Sequence, residues 1–435
     1  MNRRHLLQST PLAFGWLGLS ALAAQTGPAK SAKRVIFLCM RGAPSHVDTF
    51  DYKPRLETDS GKPGARPGTQ LLGSRWKFRR HGQSGHWISE LFPQLATCAD
   101  DLCVLNGMQT DLPAHPQAYL KMHTGSSQFV RPSLGAWTHY GLGSLNDNLP
   151  GFITITPASG FGGAQNYGSA FLPAQHQGTR IGADKRPITG AEVANLRPKI
   201  DPAGQRAELD LVQSLNRSRL TLHADPQVEG LIESYELAYR MQSEMPAVMD
   251  LTRETEATRQ LYGIGETVTD DFGRKCLLAR RLVEAGVRFV EITHGDWDHH
   301  SDLGEKLPAS CAGVDKPLCG LLTDLKARGL LKDTLVIWGG EFGRTPHVEG
   351  NDGRDHNVKA FTLWMAGGGV KAGVSHGASD DHGYEAVSGI VTIPDWHATI
   401  LHLLGLDHEK LTYRHAGRNF RLTDIHGSVV HDIVG

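Results

Sequence analysis

The feature that most limits what this chain can become is a set of four short, uninterrupted apolar runs, each released into a glycine-rich or polar loop. Arg34-Val35-Ile36-Phe37-Leu38-Cys39-Met40 leads into Arg41-Gly42-Ala43-Pro44, and similar runs stand at 287–292, 334–338 and 360–366. A strand with one wet face alternates apolar and polar residues, so a run that is apolar at every position has to be covered on both faces. Amphipathic stretches at 272–285 and 317–328 precede the second and third runs. Helices alternating with doubly buried strands predict an α/β fold, with a mostly parallel central sheet and helices on both faces. In such sheets ligands bind beyond the carboxyl ends of the strands, which places any chemistry in the trailing loops. The stretch from about 198 to 262 is charged and helical in pattern and reads as a helical insertion or lid.

Composition narrows the functional classes. Lys plus Arg number 45 against 46 Asp plus Glu, a formal net charge of −1, and no basic block tracks a phosphate backbone, so nucleic acid is not the expected partner. Hydrophobic residues at 40% and charged residues at 21% belong to a folded globular chain. Fifty glycines and 22 histidines are the unusual counts, and both point to sites built on loops.

Arg3-Arg4 precedes an apolar run from Pro11 to Ala24 that ends in small residues, the pattern of a twin-arginine secretory signal. Gly15 and Gly18 interrupt that run, and it is shorter than the ~20 residues a membrane span needs. The expectation is a signal over residues 1–30, a single α/β domain over 31–435, export to the periplasm and no membrane span in the mature protein. Of six cysteines, none forms a Cys-x-x-Cys pair, so a zinc ribbon or thioredoxin motif is absent. Cys98 with Cys103, and Cys311 with Cys319, are close enough in sequence for local disulfides, whereas Cys39 and Cys276 sit in apolar segments as buried thiols.

The loops after the runs carry the titratable residues. Gly42-Ala43-Pro44-Ser45-His46-Val47-Asp48 offers His46 and Asp48 as ligands, or an Asx turn. His294-Gly295-Asp296-Trp297-Asp298-His299-His300-Ser301-Asp302 crowds Asp and His so densely that a cation or hydrogen-bond donors are expected to hold the carboxylates together. Gly340-Glu341-Phe342-Gly343-Arg344 and Gly353-Arg354-Asp355-His356 add a carboxylate, a histidine and two arginines. Those arginines suit a phosphate or sulfate, or an internal ion pair with Asp355 or Glu341. His115-Pro116 reads as a helix start, where unpaired N–H groups favour an anion or a nucleophile attacking one; capping is the plainer role for His115. His382, His397 and His402 are weaker candidates.

Taken in order, Gly42 to Asp51, Asp296-Trp297-Asp298-His299, Gly340-Glu341-Phe342-Gly343-Arg344-Thr345-Pro346, and Gly353-Arg354-Asp355-His356 leading to Ala366-Gly367-Gly368-Gly369 resemble the exported domain-of-unknown-function 1501 family. That family is a branch resembling the alkaline phosphatase and sulfatase superfamily. The resemblance implies an alkaline phosphatase-like fold and a divalent metal ion, zinc, manganese or calcium. By position it makes Asp48 the first metal ligand, puts Glu341 where an Asp of an Asp–His pair stands and Phe342 where its His stands, and leaves Asp298, His299 and His356 as further ligands. Thr124-Gly125 places His115 where sulfatases carry their nucleophilic Cys, while Gln117 and Tyr119 replace the Pro and Arg of that motif, against a formylglycine sulfatase. The implied activity is metal-dependent hydrolysis of phosphate or sulfate esters, small-molecule or glycan, with His115 or a water as nucleophile and Arg344 or Arg354 stabilising the developing charge. Its rivals are a non-catalytic module binding a glycan or an envelope partner, and a mutase or transferase on the same fold.

Overall fold

The computed structural model describes residues 32–435, apart from 192, 194, 195, 197–199 and 223–225. The expected secretory signal therefore lies outside the described residues. Eleven strands position the site: β1 Arg34–Met40, β2 Leu102–Gln109, β3 Phe152–Ile155, β4 Thr179–Ile181, β5 Phe289–His294, β6 Thr334–Gly339, β7 Gly343–Glu349, β8 Gly353–Asn357, β9 Phe361–Ala366, β10 Val374–His376 and β11 Val391–Thr392. Nine of them make one sheet, ordered β10-β2-β9-β6-β1-β5-β3-β4, with β11 also paired to β2. The fold is α/β with a mostly parallel central sheet, as the apolar runs predict. The helices that matter are α1 His115–Thr124, α2 Pro202–Leu222, α3 Pro226–Met249, α4 Asp270–Glu284 and α5 Leu303–Ala327.

The apolar run of β1 divides between two cores. Ile36, Leu38 and Met40 pack with Val290, Val336 and the buried faces of α4 and α5. Val35, Phe37 and Cys39 pack on the opposite side with Phe289, Leu335 and Ile337. Side chains alternate faces along a strand, so a helix layer on each side requires both sets to be apolar. Each such fully buried side chain contributes about 1.5–3 kcal/mol.

The fourth run differs from the expectation of parallel strands throughout. β9 runs antiparallel to both β6 and β2. The hairpin of β7 and β8 returns the chain to the sheet from above β6, and a strand entered from that end has to run down. Three further differences concern extent. β5 begins two residues later than its apolar run, α5 begins well before residue 317, and five strands of the sheet, β2, β3, β4, β10 and β11, were not anticipated. Within the span read as an insertion, Arg206 of α2 reaches Glu236 of α3 with both terminal nitrogens at 2.9 Å, and Met245 of α3 is fully buried in the core beside α4. No helix among the described residues is long and apolar enough to cross a membrane.

The local disulfide expectations do not hold. Cys98 belongs to one core and Cys103 to the other, so the sheet separates them. Cys311 and Cys319 lie two turns apart on α5, about 12 Å along its axis. All six cysteines are free thiols, and Cys39 and Cys276 are buried as expected.

Candidate metal centre

In register, Met40 of β1 lies beside His294 of β5, and Cys39 beside Gly339 of β6, so three loops leave the sheet together at its carboxyl edge. β9 starts at that same edge because it runs the other way, and this brings the β7–β8 hairpin over the loops. α1 begins there too, after β2. Five separate segments thus meet at one place, although they are up to 300 residues apart in sequence.

The loop after β5 is anchored by Trp297, which is fully buried in the core and donates from Nε1 to His294 Nδ1 at 3.1 Å. With Trp297 inside, Asp298 turns out, its side chain 44% exposed. Asp298 Oδ1 lies 3.1 Å from His115 Nε2, 2.9 Å from His300 Nε2, 3.5 Å from His356 Nε2 and 2.5 Å from Arg344 Nη2. The His115, His300 and His356 nitrogens and the Asp298 oxygen all lie within 4.8 Å of one another.

The far side of each ring is locked by an acceptor. His115 Nδ1 is 2.6 Å from Glu341 Oε1, His300 Nδ1 is 2.5 Å from Glu349 Oε2, and His356 Nδ1 is 2.6 Å from the carbonyl of Pro113. A carbonyl or carboxylate can only accept, so each Nδ1 carries a proton and each ring, when neutral, presents an Nε2 lone pair to the centre. His300 Nε2 and His356 Nε2 stand only 3.0 Å apart. His115 Nε2 is buried and makes no well-aligned hydrogen bond. The Arg344 guanidinium offsets the Asp298 charge and reaches His300 Nε2 at 3.5 Å, but three imidazole nitrogens this close still repel unless a proton or a metal lies among them. Imidazoles whose second nitrogen is held by a carboxylate or carbonyl are the usual supports of a metal centre, so the donor set fits a divalent metal.

Electrostatics follow the geometry. Burial opposes ionisation of Asp298, but the neighbouring His115 and His356 rings and the Arg344 charge hold it well below the usual carboxylate range. Burial would lower the His115 pKa, yet the Asp298 and Glu341 carboxylates outweigh it and raise it. Phe342, at the position expected for a ligand, instead walls the site: its ring centroid is 4.7 Å from His115 and 4.6 Å from His356. Phe161 stacks on the other face of His115 at 5.3 Å.

Of the residues expected as ligands, the structure brings Asp298 and His356 together and leaves three outside. Asp48 is fully buried against Arg354, with Nε–Oδ2 at 2.6 Å and Nη2–Oδ1 at 3.1 Å. Glu341 stands behind His115 rather than among the Nε2 atoms, and also accepts from the Gly42 amide at 3.0 Å. His299 turns under the loop to the Asp296 carbonyl at 3.0 Å, and burial with the Arg344 charge lowers its pKa to about 4.

The three residues expected to be catalytic are also recast. His115 is the first residue of α1 after the N-cap Ala114, and both its ring nitrogens are engaged in the cluster. Arg344 spends its donors on Asp298 and on the carbonyls of Gly42, Ala43 and Arg354, and Arg354 spends its own on Asp48 and the carbonyls of Thr345 and Leu72. Both arginines are buried ion-pair partners, with Asp298 and Asp48 in place of the Asp355 or Glu341 expected; Asp355 pairs with Arg66 at 3.1 Å. His46, offered with Asp48 as a ligand, instead meets the Gly383 carbonyl, and the weaker candidates lie elsewhere: His382 on Asp59, His397 on the Met122 carbonyl, and His402 beside His431.

His300 and Glu349 were missed. His300 sat in the same His-rich run, but adjacent residues in a loop carry no signal as to which one turns inward. Glu349 also joins His300 and Asp355 in a second, more open cluster.

Close packing around the centre needs two glycines. Gly42 has φ +106°, and a Cβ there would stand 2.7 Å from the Asp298 amide nitrogen. A Cβ on Gly353 would collide with the His300 carbonyl. Gly42→Ala is therefore expected to cost roughly 1–3 kcal/mol, read as a lower denaturant midpoint at unchanged slope.

A family model described as protein of unknown function (DUF1501) matches residues 32–434. No curated protein matches the chain. Among solved structures, the chain is similar to the PsFucS1 sulfatase from Pseudoalteromonas sp., at 14% identity over 90% of this chain and 70% of that one, with a TM-score of 0.37. It is also similar to a magnesium-bound variant of the alkaline phosphatase from the Antarctic bacterium TAB5, at 11% identity over 87% and 99%, with a TM-score of 0.39. A third similarity is to the lipoteichoic acid synthase LtaP from Listeria monocytogenes, at 10% identity over 93% and 80%, with a TM-score of 0.38.

Proposed function

Because the chain belongs to the DUF1501 family, whose description carries no activity, its chemistry has to be read from the site, and we propose a metal-dependent hydrolase of phosphate or sulfate esters. The observation that carries this reading is the convergence of three Nε2 lone pairs and one carboxylate oxygen, each imidazole held from behind by an acceptor. His115, Asp298, His300 and His356 would hold the ion. Three imidazoles with one carboxylate suit zinc or manganese better than calcium, which prefers an all-oxygen shell. When bound, such an ion supplies Lewis-acid polarisation of an ester oxygen.

The chain's own residues do the rest. Glu341 fixes the tautomer and tilt of His115, and Arg344 steers Asp298 while tying the β1 loop to the hairpin. Phe161 and Phe342 keep water from the two faces of His115, and the exposed edge of Asp298 leaves the centre open to a ligand from solvent. With both nitrogens occupied, His115 serves as a ligand and not as a covalent nucleophile. Among the described residues no Ser, Thr or Cys side chain bonds to the cluster, so water is the attacking group in this reading. The Arg3-Arg4 leader supports the further proposal that the mature chain, one α/β domain following residue 30, works in the periplasm.

The test is turnover of 4-nitrophenyl phosphate and 4-nitrophenyl sulfate by full-length protein supplied with zinc or manganese, with Asp298→Ala beside it. Metal-dependent turnover that Asp298→Ala lacks is the expected result. A folded, metal-loaded protein inert toward both esters would overturn the hydrolase reading in favour of a binding module.

A further inference from the structure

A second cluster of reactive groups stands apart from the four converging ligand atoms and takes no part in their chemistry. Cys98, in the 3-10 turn Leu95–Asp101, and Cys319, in α5, place their sulfurs 3.5 Å apart. Two clamps hold the turn on the helix to either side of the pair. Asp315, one turn before Cys319, accepts from the amides of Gln94 at 2.9 Å and Leu95 at 2.8 Å, and Lys326 reaches Asp101 at 2.7 Å. Bonding distance for two sulfurs is about 2.05 Å, so closing the pair asks the side chains to approach by roughly 1.5 Å on backbones already pinned together.

The two thiols differ in the way an attacking and a resolving cysteine differ. Cys319 is half-buried, while Cys98 is buried beneath it. Around Cys319 Sγ stand the Cys98 thiol, the Thr97 hydroxyl at 3.5 Å and the Thr323 hydroxyl at 3.9 Å. The contact with Cys98 foremost, with the two threonine hydroxyls acting against the cost of burial, holds the Cys319 thiol below its ordinary value. Cys39, Cys103, Cys276 and Cys311 lie fully inside the two cores with no route to solvent. Burial pushes each of those thiols up, which makes reaction at Cys319 selective.

The geometry points to a thiol modification site in which Cys319 captures a low-molecular-weight disulfide and Cys98 resolves it, closing a Cys98–Cys319 bridge between the 3-10 turn and α5. In the first step the Cys319 thiolate attacks one sulfur of the incoming disulfide, forming a mixed disulfide and releasing one thiolate. In the second, Cys98 gives its proton to solvent, attacks Cys319 Sγ and releases the second thiolate. The two protein sulfurs lose two electrons and two protons, and the disulfide becomes two thiols. The bridge closes a span of 221 residues, the regime in which a cross-link removes the most entropy from the unfolded chain. It also fastens α5, the helix that continues from the loop carrying Asp298 and His300.

Full-length reduced protein incubated at neutral pH with oxidised glutathione tests this. The expected result is an intact mass lower by two hydrogens, a peptide map joining the Cys98 and Cys319 peptides, and a melting temperature several degrees higher. Cys98→Ser is expected to stop at one glutathionyl group on Cys319, and Cys319→Ser to stay unmodified. Native protein that does not react while the unfolded chain does, or wild type that keeps glutathione on Cys319 without closing the bridge, would overturn the inference.

Discussion

His356→Ala and Asp298→Ala should each empty the metal centre. Wild-type protein purified without chelator is expected to carry about one zinc or manganese per chain, read by elemental mass spectrometry on folded material. Either variant deletes one of the four converging atoms and is expected to retain little of the ion. Glu341→Gln keeps all four ligand atoms but weakens the acceptor on His115 Nδ1, and the loss of such a partner costs about 10–100-fold in metal affinity. His299→Ala supplies the contrast. Its Nε2 is committed to the Asp296 carbonyl at 3.0 Å and faces away from the centre, so wild-type metal content is expected. Wild type that stays metal-free when offered zinc and manganese would sink the assignment, as would an ion lost from His299→Ala and kept by His356→Ala.

Asp48→Ala should act on the fold rather than on the ion. Asp48 and Arg354 are each 0% exposed at the side chain and form two bonds, at 2.6 and 3.1 Å. Ser45 adds a third bond to the carboxylate at 2.6 Å, and Arg354 also donates to the carbonyls of Thr345 and Leu72. Removing one partner of such a pair leaves a buried charge without compensation, at a cost of about 3–5 kcal/mol. A much lower guanidinium midpoint with unchanged metal content per folded chain is expected. Asp48→Leu combined with Arg354→Met removes both charges and should recover part of the loss. If Asp48→Ala unfolds like wild type but loses the ion, Asp48 is a ligand after all and the ion-pair account fails.

The fold was legible because burial on two faces leaves a local trace. The run at 34–40 is apolar at every position since Ile36 and Phe37 must enter different cores, and β1 covers those same residues. The direction of β9 left no such trace: Phe361 to Ala366 would be equally apolar in either orientation, and only the hairpin before it dictates the reversal. Among the sheet strands that also escaped notice, β2 has Asn106 and Gly107 interrupting its apolar pattern and β3 has only four residues.

At the site, the residue types were legible and the roles were not. Dense Asp and His in the loop after β5 signalled that something must hold the carboxylates, and Asp298 and His356 lie at the centre. The family resemblance singled out His299 over His300, although a single residue's rotation about the chain, set by Trp297 entering the core, decides which ring faces in. Asp48 and Arg354 each carry the right chemistry for a site. They are 306 residues apart, and nothing in either segment reveals that each is the other's partner.

By itself the sequence determined the class of fold and the edge of the sheet where the polar residues gather, because hydrophobic periodicity and strand-end loops are local properties of the chain. Only the tertiary structure decided which carboxylate meets which cation, which of two neighbouring histidines turns inward, and which cysteine faces which. Each of those pairings joins atoms from segments tens to hundreds of residues apart, and is settled by packing to within an ångström or two, a scale on which residue type and spacing carry no information.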